Sequence, residues 1–78
     1  MDSTEYRVTD AAELADVLKR ERERQSLSQR DLAKRSKVSS QMISAIEGKK
    51  REPTIGVVGM LALALGVVIV LGELNKKK

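Results

Sequence analysis

Apolar residues recur at helical spacing through most of the chain, and they divide it into four predicted helices. The first covers residues 11–25, and Asp10 and Glu13 have the spacing of a capping box at its start. Two short helices follow, opened by Ser28 and Ser39, and a fourth completes the helical part. Because helices as short as the middle two are marginal in water, we expect them to pack against each other and against the longer helices.

The predicted core consists of the apolar positions on one face of each helix. The second half of the first helix is different, because residues 19–25 read KRERERQ. Alternating charges of this kind pair along an exposed helix surface. We therefore expect Glu21 and Glu23 to be solvated, without a cleft that would suit them for catalysis. The predicted core positions are Ala11, Leu14, Val17, Leu18, Leu32, Ala33, Val38, Ile43, Ile46, Ile55, Val58, Leu61, Ala62 and Leu65.

The end of the chain is apolar on more than one side. The fourth helix, over residues 54–65, is apolar all round, which is typical of a buried helix. After Gly66 the β-branched run VVIVLGE predicts a strand, for which a helical chain offers no partner of its own. We therefore expect two copies to meet here, with the strands of residues 67–71 paired antiparallel. The predicted dimer interface consists of Val57, Met60, Leu63, Val67, Val68, Ile69, Val70 and Leu71.

These segments divide the chain into four regions. A polar lead-in covers residues 1–9, a helical domain residues 10–66, a dimerisation strand residues 67–74 and a basic tail residues 75–78. Residues 55–72 carry no charge, and a run of 18 residues reaches the lower limit of a membrane span. The run contains four glycines and changes from helix to strand. A membrane-anchored interaction module is therefore the least favoured interpretation.

Composition limits the chemistry that the chain can perform. Its 78 residues allow one small domain, for which oligomerisation is a common source of added stability. The absence of cysteine and histidine excludes disulfides, zinc fingers and catalysis by those residues. We expect no enzyme activity, no cofactor and no metal. The first 18 residues are acidic and lack the apolar run of a secretory signal, which favours a cytoplasmic location.

Charge is distributed unevenly about the net value of +4. Residues 1–18 sum to −4, whereas residues 19–53 carry eleven lysines and arginines against five acids. This basic block contains both short helices, as expected of a phosphate-binding surface. The second short helix presents Ser40, Gln41 and Ser44 along one polar side. A two-helix unit with an exposed polar second helix is what a DNA-reading helix-turn-helix requires.

Three blocks of sequence, LSQRDLAK, ISAIEGKKREPT and LALALGV, carry a further signal. Over residues 14–68 the pattern resembles the helix-turn-helix family of the phage lambda and 434 repressors and Cro, also called the XRE family. The resemblance implies an all-α fold, a four- to five-helix lambda-repressor-like bundle, followed here by the dimerisation strand. The helix that begins at Ser39 would enter the major groove of DNA. The residues at the family's spacing are Gln29, Ala33, Val38, Ile43 and Ile46.

The resemblance also implies roles for individual residues. Ser40 and Gln41 would read base edges, with Ser44 and Ser39 at the margins, and Ser39 serves first as a helix cap. An ion pair would tie the first helix to the end of the recognition helix, and its members are Arg22 and Glu47. Contacts to DNA phosphates are implied for Gln29, Lys49, Lys50 and Arg51.

Two positions depart from the family pattern. Lys37 stands in the turn where the family has glycine, so either the turn differs or the lysine adopts a left-handed conformation at a cost of about 1 kcal/mol. Gly48 comes one residue earlier than the glycine that usually follows the recognition helix. We expect Gly48 to end that helix in the left-handed conformation.

The expected function is that of a homodimeric, sequence-specific DNA-binding transcriptional repressor or regulator that acts on a palindromic operator. Its partners would be double-stranded DNA and a second copy of the chain. The alternative is an antitoxin that regulates its own operon and binds a toxin. It rests on the segment YRVTDAAELA and the apolar strand near the end, which resemble Hip-type antitoxins, whose partner is a toxin kinase.

Overall fold

The computed structural model describes residues 4–72, which form four helices and two strands. Every predicted helix is present within two residues of its expected bounds. The elements in chain order are β1 (Thr4–Val8), α1 (Ala11–Arg24), α2 (Gln29–Ser36), α3 (Ser40–Glu47), α4 (Ile55–Leu65) and β2 (Val67–Leu71).

Each helix begins at a side chain that caps its first turn. The side chains of Asp10, Ser28, Ser39 and Thr54 accept hydrogen bonds from backbone N–H groups three residues on, at 2.7–3.1 Å. The first turn of a helix leaves these donors without partners in the helix itself. The caps predicted at Asp10, Ser28 and Ser39 are therefore confirmed, and the bounds of the helices are set by short polar side chains at fixed positions.

The core lies where the four helices meet and extends under the two strands. Most predicted core positions are buried, whereas Ala11 and Ala33 are half-buried. Ile55 was assigned to the core wrongly, because it is 73% exposed. It is the first residue of α4 and lines an open cleft with Leu14, Pro53 and Leu71 among others. The buried cluster consists of Val8, Leu14, Val17, Leu18, Leu32, Val38, Ile43, Ile46, Val58, Leu61, Ala62, Leu65 and Val67.

The two strands pair with each other, in parallel, within one chain. Thr4 lies opposite Val67 and Val8 opposite Leu71. Two predictions are corrected by this pairing: residues 4–8 are a strand rather than a polar lead-in, and β2 has a partner in its own chain. The whole helical domain serves as the crossover that a parallel pair requires. Residues 1–3 and 73–78, which include the predicted basic tail, lie outside the described residues.

The sheet is anchored to the helices by alternate residues. Val8 is fully buried in the core, and Val67 is buried at the other end of the strand pair. Val67 therefore belongs to the core of its own chain, although it was predicted as part of a dimer interface. Its neighbour Val68 faces outward and is exposed. This alternation is expected of a strand with one covered face.

The second half of α1 is less exposed than its charges indicated. Glu21 is fully buried and Arg22 nearly so, which corrects the prediction of a solvated surface for this part of the helix. Each buried polar atom of the two side chains has a hydrogen-bond partner, which is the usual condition for burying a charge. Among residues 4–72, no helix has the length and apolar character needed to cross a membrane.

Candidate nucleic-acid interface

The α2–turn–α3 unit is held from inside by apolar residues. Leu32, Val38, Ile43 and Ile46 are all buried, as the sequence predicted. Lys37 occupies the turn with φ 69° and ψ 14°, which is the left-handed region. The lysine therefore accepts the conformation for which the family has glycine, and the turn itself is retained.

The outward face of α3 carries short polar side chains. Gln41 and Ser44 are exposed and Ser40 is half-buried. The hydroxyl oxygen of Ser39 accepts the backbone N–H of Met42 at 3.0 Å, so this serine is a helix cap at the edge of the face. Side chains of this length leave room for a close approach to base edges, and their amide and hydroxyl groups can both donate and accept hydrogen bonds.

A cluster of hydrogen bonds around the Glu47 carboxylate fixes the orientation of α3. Arg22 donates to it twice, from Nε at 2.7 Å and from Nη2 at 2.9 Å, so the ion pair expected here is present. Gln29 donates from Nε2 at 3.1 Å, and Arg22 also donates from Nη1 to the carbonyl of Leu27 at 2.6 Å. We call these residues the Glu47 cluster. The hydrogen bonds from Arg22 to Glu47 raise the pKa of the arginine above its usual value.

The Glu47 cluster joins three helices through side chains that are largely out of water. The arginine lies on α1, the glutamine at the first position of α2 and the carboxylate at the end of α3. A forked arginine–carboxylate pair fixes both distance and angle. The exposed face of α3 is therefore held at a set angle to the first position of α2, where Gln29 keeps a second amide hydrogen that is not used by Glu47.

The loop after α3 corrects the prediction for Gly48. Its φ is −82°, and Lys49 is the left-handed residue, with φ 63°. The N–H of Lys49 bonds the carbonyl of Ile46 at 3.0 Å, and the N–H of Lys50 bonds that of Ala45 at 2.8 Å. This pair of bonds is the Schellman closure, which requires left-handed geometry at the residue after the cap. The early glycine thus sits at the cap itself, and a lysine takes the strained position.

The three basic residues of this loop have different surroundings. Lys50 and Arg51 are exposed at the surface beside α3. The ammonium of Lys49 instead lies 3.0 Å from a carboxylate oxygen of Asp16, on α1. The loop therefore brings a cluster of positive charge to the end of α3, with an acid at its margin.

A second buried carboxylate, that of Glu21, was missed by sequence reasoning. It accepts hydrogen bonds from the Tyr6 hydroxyl at 2.7 Å, from Gln25 Nε2 at 2.7 Å and from the Arg24 guanidinium, whose Nε lies 3.1 Å from both oxygens. Gln25 also donates to the carbonyl of Leu65 at 2.7 Å. We call these residues the Glu21 cluster. It ties β1 and the end of α4 to α1.

The Glu21 carboxylate is strongly stabilised in its charged form. The hydrogen bond from Arg24 is the main cause, with further bonds from Gln25 and Tyr6, and together they lower the pKa of Glu21 to about 2. The hydrogen bond from the Tyr6 hydroxyl to Glu21 also raises the pKa of the tyrosine. A signal was present in the sequence, because Tyr6 is the only aromatic residue of the chain and a lone tyrosine in a polar segment is often anchored by its hydroxyl.

The fold and the exposed face of α3 define a helix-turn-helix protein, and comparisons with known proteins agree. A family model described as helix-turn-helix matches residues 18–68. A solved structure, a mutant of the restriction-modification controller protein C.Esp1396I, is similar with a TM-score of 0.71 and 30% sequence identity, over 73% of this chain and 74% of that chain. Among proteins with curated descriptions, none matches. The chain belongs to the XRE-type helix-turn-helix family and is a DNA-binding transcription regulator.

Proposed function

We propose that the chain is a homodimeric repressor that binds a palindromic DNA operator. The observation that carries this proposal is the exposed polar face of α3, which is held in place by the Glu47 cluster and bordered by a basic loop. Proteins of this class insert such a helix into the major groove and read one half-site with each subunit. A repressor occupies its operator as a pair of chains, which places the half-sites about one helical turn apart.

Within this proposal the polar residues have separate tasks. Gln41 hydrogen-bonds a base edge, with Ser40 and Ser44 beside it and Ser39 at the margin. A glutamine can bond adenine through both of its amide atoms, which provides about 1–3 kcal/mol of discrimination against other bases. Phosphates are bound by Gln29, Lys49, Lys50 and Arg51, and such contacts set affinity and register rather than sequence preference.

The apolar surface of α4 supports the dimer. Leu63 is 83% exposed, and Ile55 and Met60 are also exposed on this helix. Val57 is only half-buried against the core. Large exposed apolar residues close together on a small protein are typical of a protein–protein contact. A second copy would cover this surface and supply the added core that a chain of this length needs.

The edges of the sheet support one particular order of strands. β2 carries no charge and no proline, whereas β1 carries Glu5 and Arg7. Natural proteins protect an exposed edge strand with charges and leave an unprotected edge where it is paired. One edge of β2 is paired with β1, and its other edge has no partner among the described residues. The order in the dimer would therefore be β1–β2–β2–β1, with the two β2 strands antiparallel at the centre.

The experiment for the proposal is a selection of binding sites from random duplex DNA, with the number of chains in the complex measured alongside. An enriched palindrome bound by two chains is the expected result. If no sequence is enriched over non-specific binding, the proposed operator function is wrong. Repression follows as a separate measurement, in which a reporter placed under the selected site should lose expression when the protein is made.

The dimer surface is tested by light scattering on three variants. Leu63→Lys and Val68→Lys each place a charge in the proposed contact and should give monomers that remain folded. Glu5→Lys is the matched control, because it adds a lysine to the outer strand of the sheet and should leave the dimer intact. If Glu5→Lys dissociates the dimer and Val68→Lys does not, the proposed order of strands is reversed.

The antitoxin alternative predicts something that a simple operator-binding repressor does not. An antitoxin would copurify with a larger protein encoded next to it, and the complex would bind the operator as well. Purification of the chain together with the product of the adjacent gene distinguishes the two functions. A chain that purifies alone and fully represses its reporter supports the simple repressor.

A further inference from the structure

Asp16 is an acid on α1 that lies beside the basic loop. Its carboxylate lies 3.0 Å from the ammonium of Lys49, and the two side chains are 56% and 47% exposed. An ion pair this exposed is weak and exchangeable, because water screens it and both side chains keep much of their freedom. A DNA phosphate could therefore replace the carboxylate as the partner of Lys49.

The backbone of Lys49 gives a second reason to assign a use to its charge. The residue closes α3 in a left-handed conformation, where glycine would be free of strain. Strained positions that retain a bulky residue are found most often at functional sites. Lys49 therefore places a charged side chain where the backbone favours glycine. Among the described residues, Asp16 is the one acid with which it forms an ion pair.

We propose that Asp16 acts as an internal competitor of DNA phosphate for Lys49, and so limits binding to DNA of any sequence. In the unbound protein the carboxylate neutralises one cation of the basic loop. When DNA binds, Lys49 exchanges the carboxylate for a phosphate, and the acid is left facing a negative surface. Part of the attraction to phosphate is thereby removed, by the same amount for the selected site and for random duplex. This inference rests on the proposed phosphate contact of Lys49.

The test compares Asp16→Asn with a control that has the same change in charge. Glu5→Gln is suitable, because Glu5 is exposed on β1, a strand that packs on β2 and α1. Asp16→Asn should tighten binding to the selected site and to random duplex by the same factor, about two- to fivefold beyond the control, which is the range expected for an exposed ion pair. The dependence of binding on salt should also become steeper. The readout is the affinity for both duplexes over a series of salt concentrations.

A double-mutant cycle separates the inference from the proposal on which it rests. Lys49→Met alone should weaken binding to both duplexes and reduce the salt slope by about 0.9. In that background Asp16→Asn should have no more effect than Glu5→Gln. If Asp16→Asn equals its control or weakens binding in the otherwise unchanged chain, the competitor role is wrong while the contact of Lys49 stands. If Lys49→Met binds like the unchanged chain, the phosphate contact fails as well.

Discussion

The Glu47 cluster and the Glu21 cluster both hold a carboxylate out of water, and both are built on the last turn of α1. Nitrogen donors surround each carboxylate, and at Glu21 the hydroxyl of Tyr6 donates as well. Each cluster takes one of two adjacent residues of α1, Arg22 or Glu21. They differ in the partner cation. Arg22 is itself buried beside Glu47, whereas Arg24 is 61% exposed beside Glu21.

That difference teaches what each cluster can tolerate. A buried pair leaves an uncompensated charge when either partner is removed. A buried acid with an exposed base and two neutral donors loses only one of several bonds when a donor is removed. The Glu47 cluster orients α3, which we propose reads DNA, and the Glu21 cluster attaches the sheet. Breaking each in turn should therefore give different losses of stability and different effects on DNA binding.

The largest effect is expected from Arg22→Ala. It leaves the Glu47 carboxylate buried with only the Gln29 amide as a partner and removes the bond to the carbonyl of Leu27. The free energy of unfolding should fall by about 3–5 kcal/mol. Urea denaturation measures this change. Arg22→Lys keeps the charge but not the paired hydrogen bonds of the guanidinium, and its free energy of unfolding should fall by less. A fall below about 1 kcal/mol for Arg22→Ala would contradict a structural role for the ion pair.

The pH dependence of stability should report the Glu21 cluster. The pKa of Glu21 is lowered from 4.5 to about 2 in the folded chain. Since the folded state holds this proton less tightly than the unfolded state, the stabilisation is complete above the unfolded pKa and is lost as the pH falls from about 4.5 towards 2. The loss is on the order of 3 kcal/mol, at 1.36 kcal/mol for each pKa unit.

Glu21→Gln is the control for that pH dependence. It should be less stable at neutral pH, and its stability should decline less between pH 4.5 and 2. The exposed Asp31 also has a lowered pKa, caused by hydrogen bonds from Ser28. Because Asp31 is present in the unchanged chain and in Glu21→Gln alike, it does not account for a difference between them. Denaturation curves taken across this range give the comparison. Parallel profiles for the two proteins would show that Glu21 does not carry the acid sensitivity.

Tyr6→Phe should have a smaller effect and should separate the two clusters. It removes the 2.7 Å bond to Glu21 and leaves the donors of Arg24 and Gln25 in place. A hydrogen bond to a charged group contributes about 1.5–3 kcal/mol, and the lower end is expected where other donors remain. The ratio of specific to random DNA binding should be unchanged at temperatures where the variant is folded. A reduced ratio would mean that the strand influences α3.

The smallest effect is expected at the left-handed positions, which also differ between the sheet and the helix-turn-helix. α4 ends next to the sheet on Gly66, whereas α2 and α3 are followed by the left-handed residues Lys37 and Lys49. Lys37→Gly should raise the free energy of unfolding by about 0.5–1 kcal/mol, because it removes strain at φ 69°. Gly66→Ala should lower it by a similar amount. Thermal unfolding of the two variants measures both, and a destabilised Lys37→Gly would contradict the strain.

The helix-turn-helix could be predicted in detail because its signals are local. Caps at Ser28 and Ser39 and a helical spacing of apolar residues are properties of short stretches. The Arg22–Glu47 pair could be predicted from the family resemblance. Other contacts between distant segments could not be predicted from local signals. The pairing of β1 with β2 joins the two ends of the described chain, and only this pairing brings Tyr6 to Glu21.

The residue that ends a helix in the left-handed conformation was harder to predict than the helix itself. The glycine at position 48 suggested the left-handed residue, yet the backbone places that conformation at Lys49. The length of α3 is set by its cap and by packing of Ile43 and Ile46, so the closure falls where the helix ends rather than where the glycine stands. A residue preference was overridden by the packing of the whole unit.

The central claim, that the exposed face of α3 reads DNA sequence, is tested most directly by the Gln41→Ala variant. Its affinity for the selected site and for random duplex should be measured beside that of Lys50→Ala. Gln41→Ala should lose about 1–3 kcal/mol of binding free energy on the selected site and little on random duplex. Lys50→Ala should instead weaken binding to both duplexes alike and flatten the salt dependence of binding. Equal losses on both duplexes for Gln41→Ala, or no loss on either, would contradict the account.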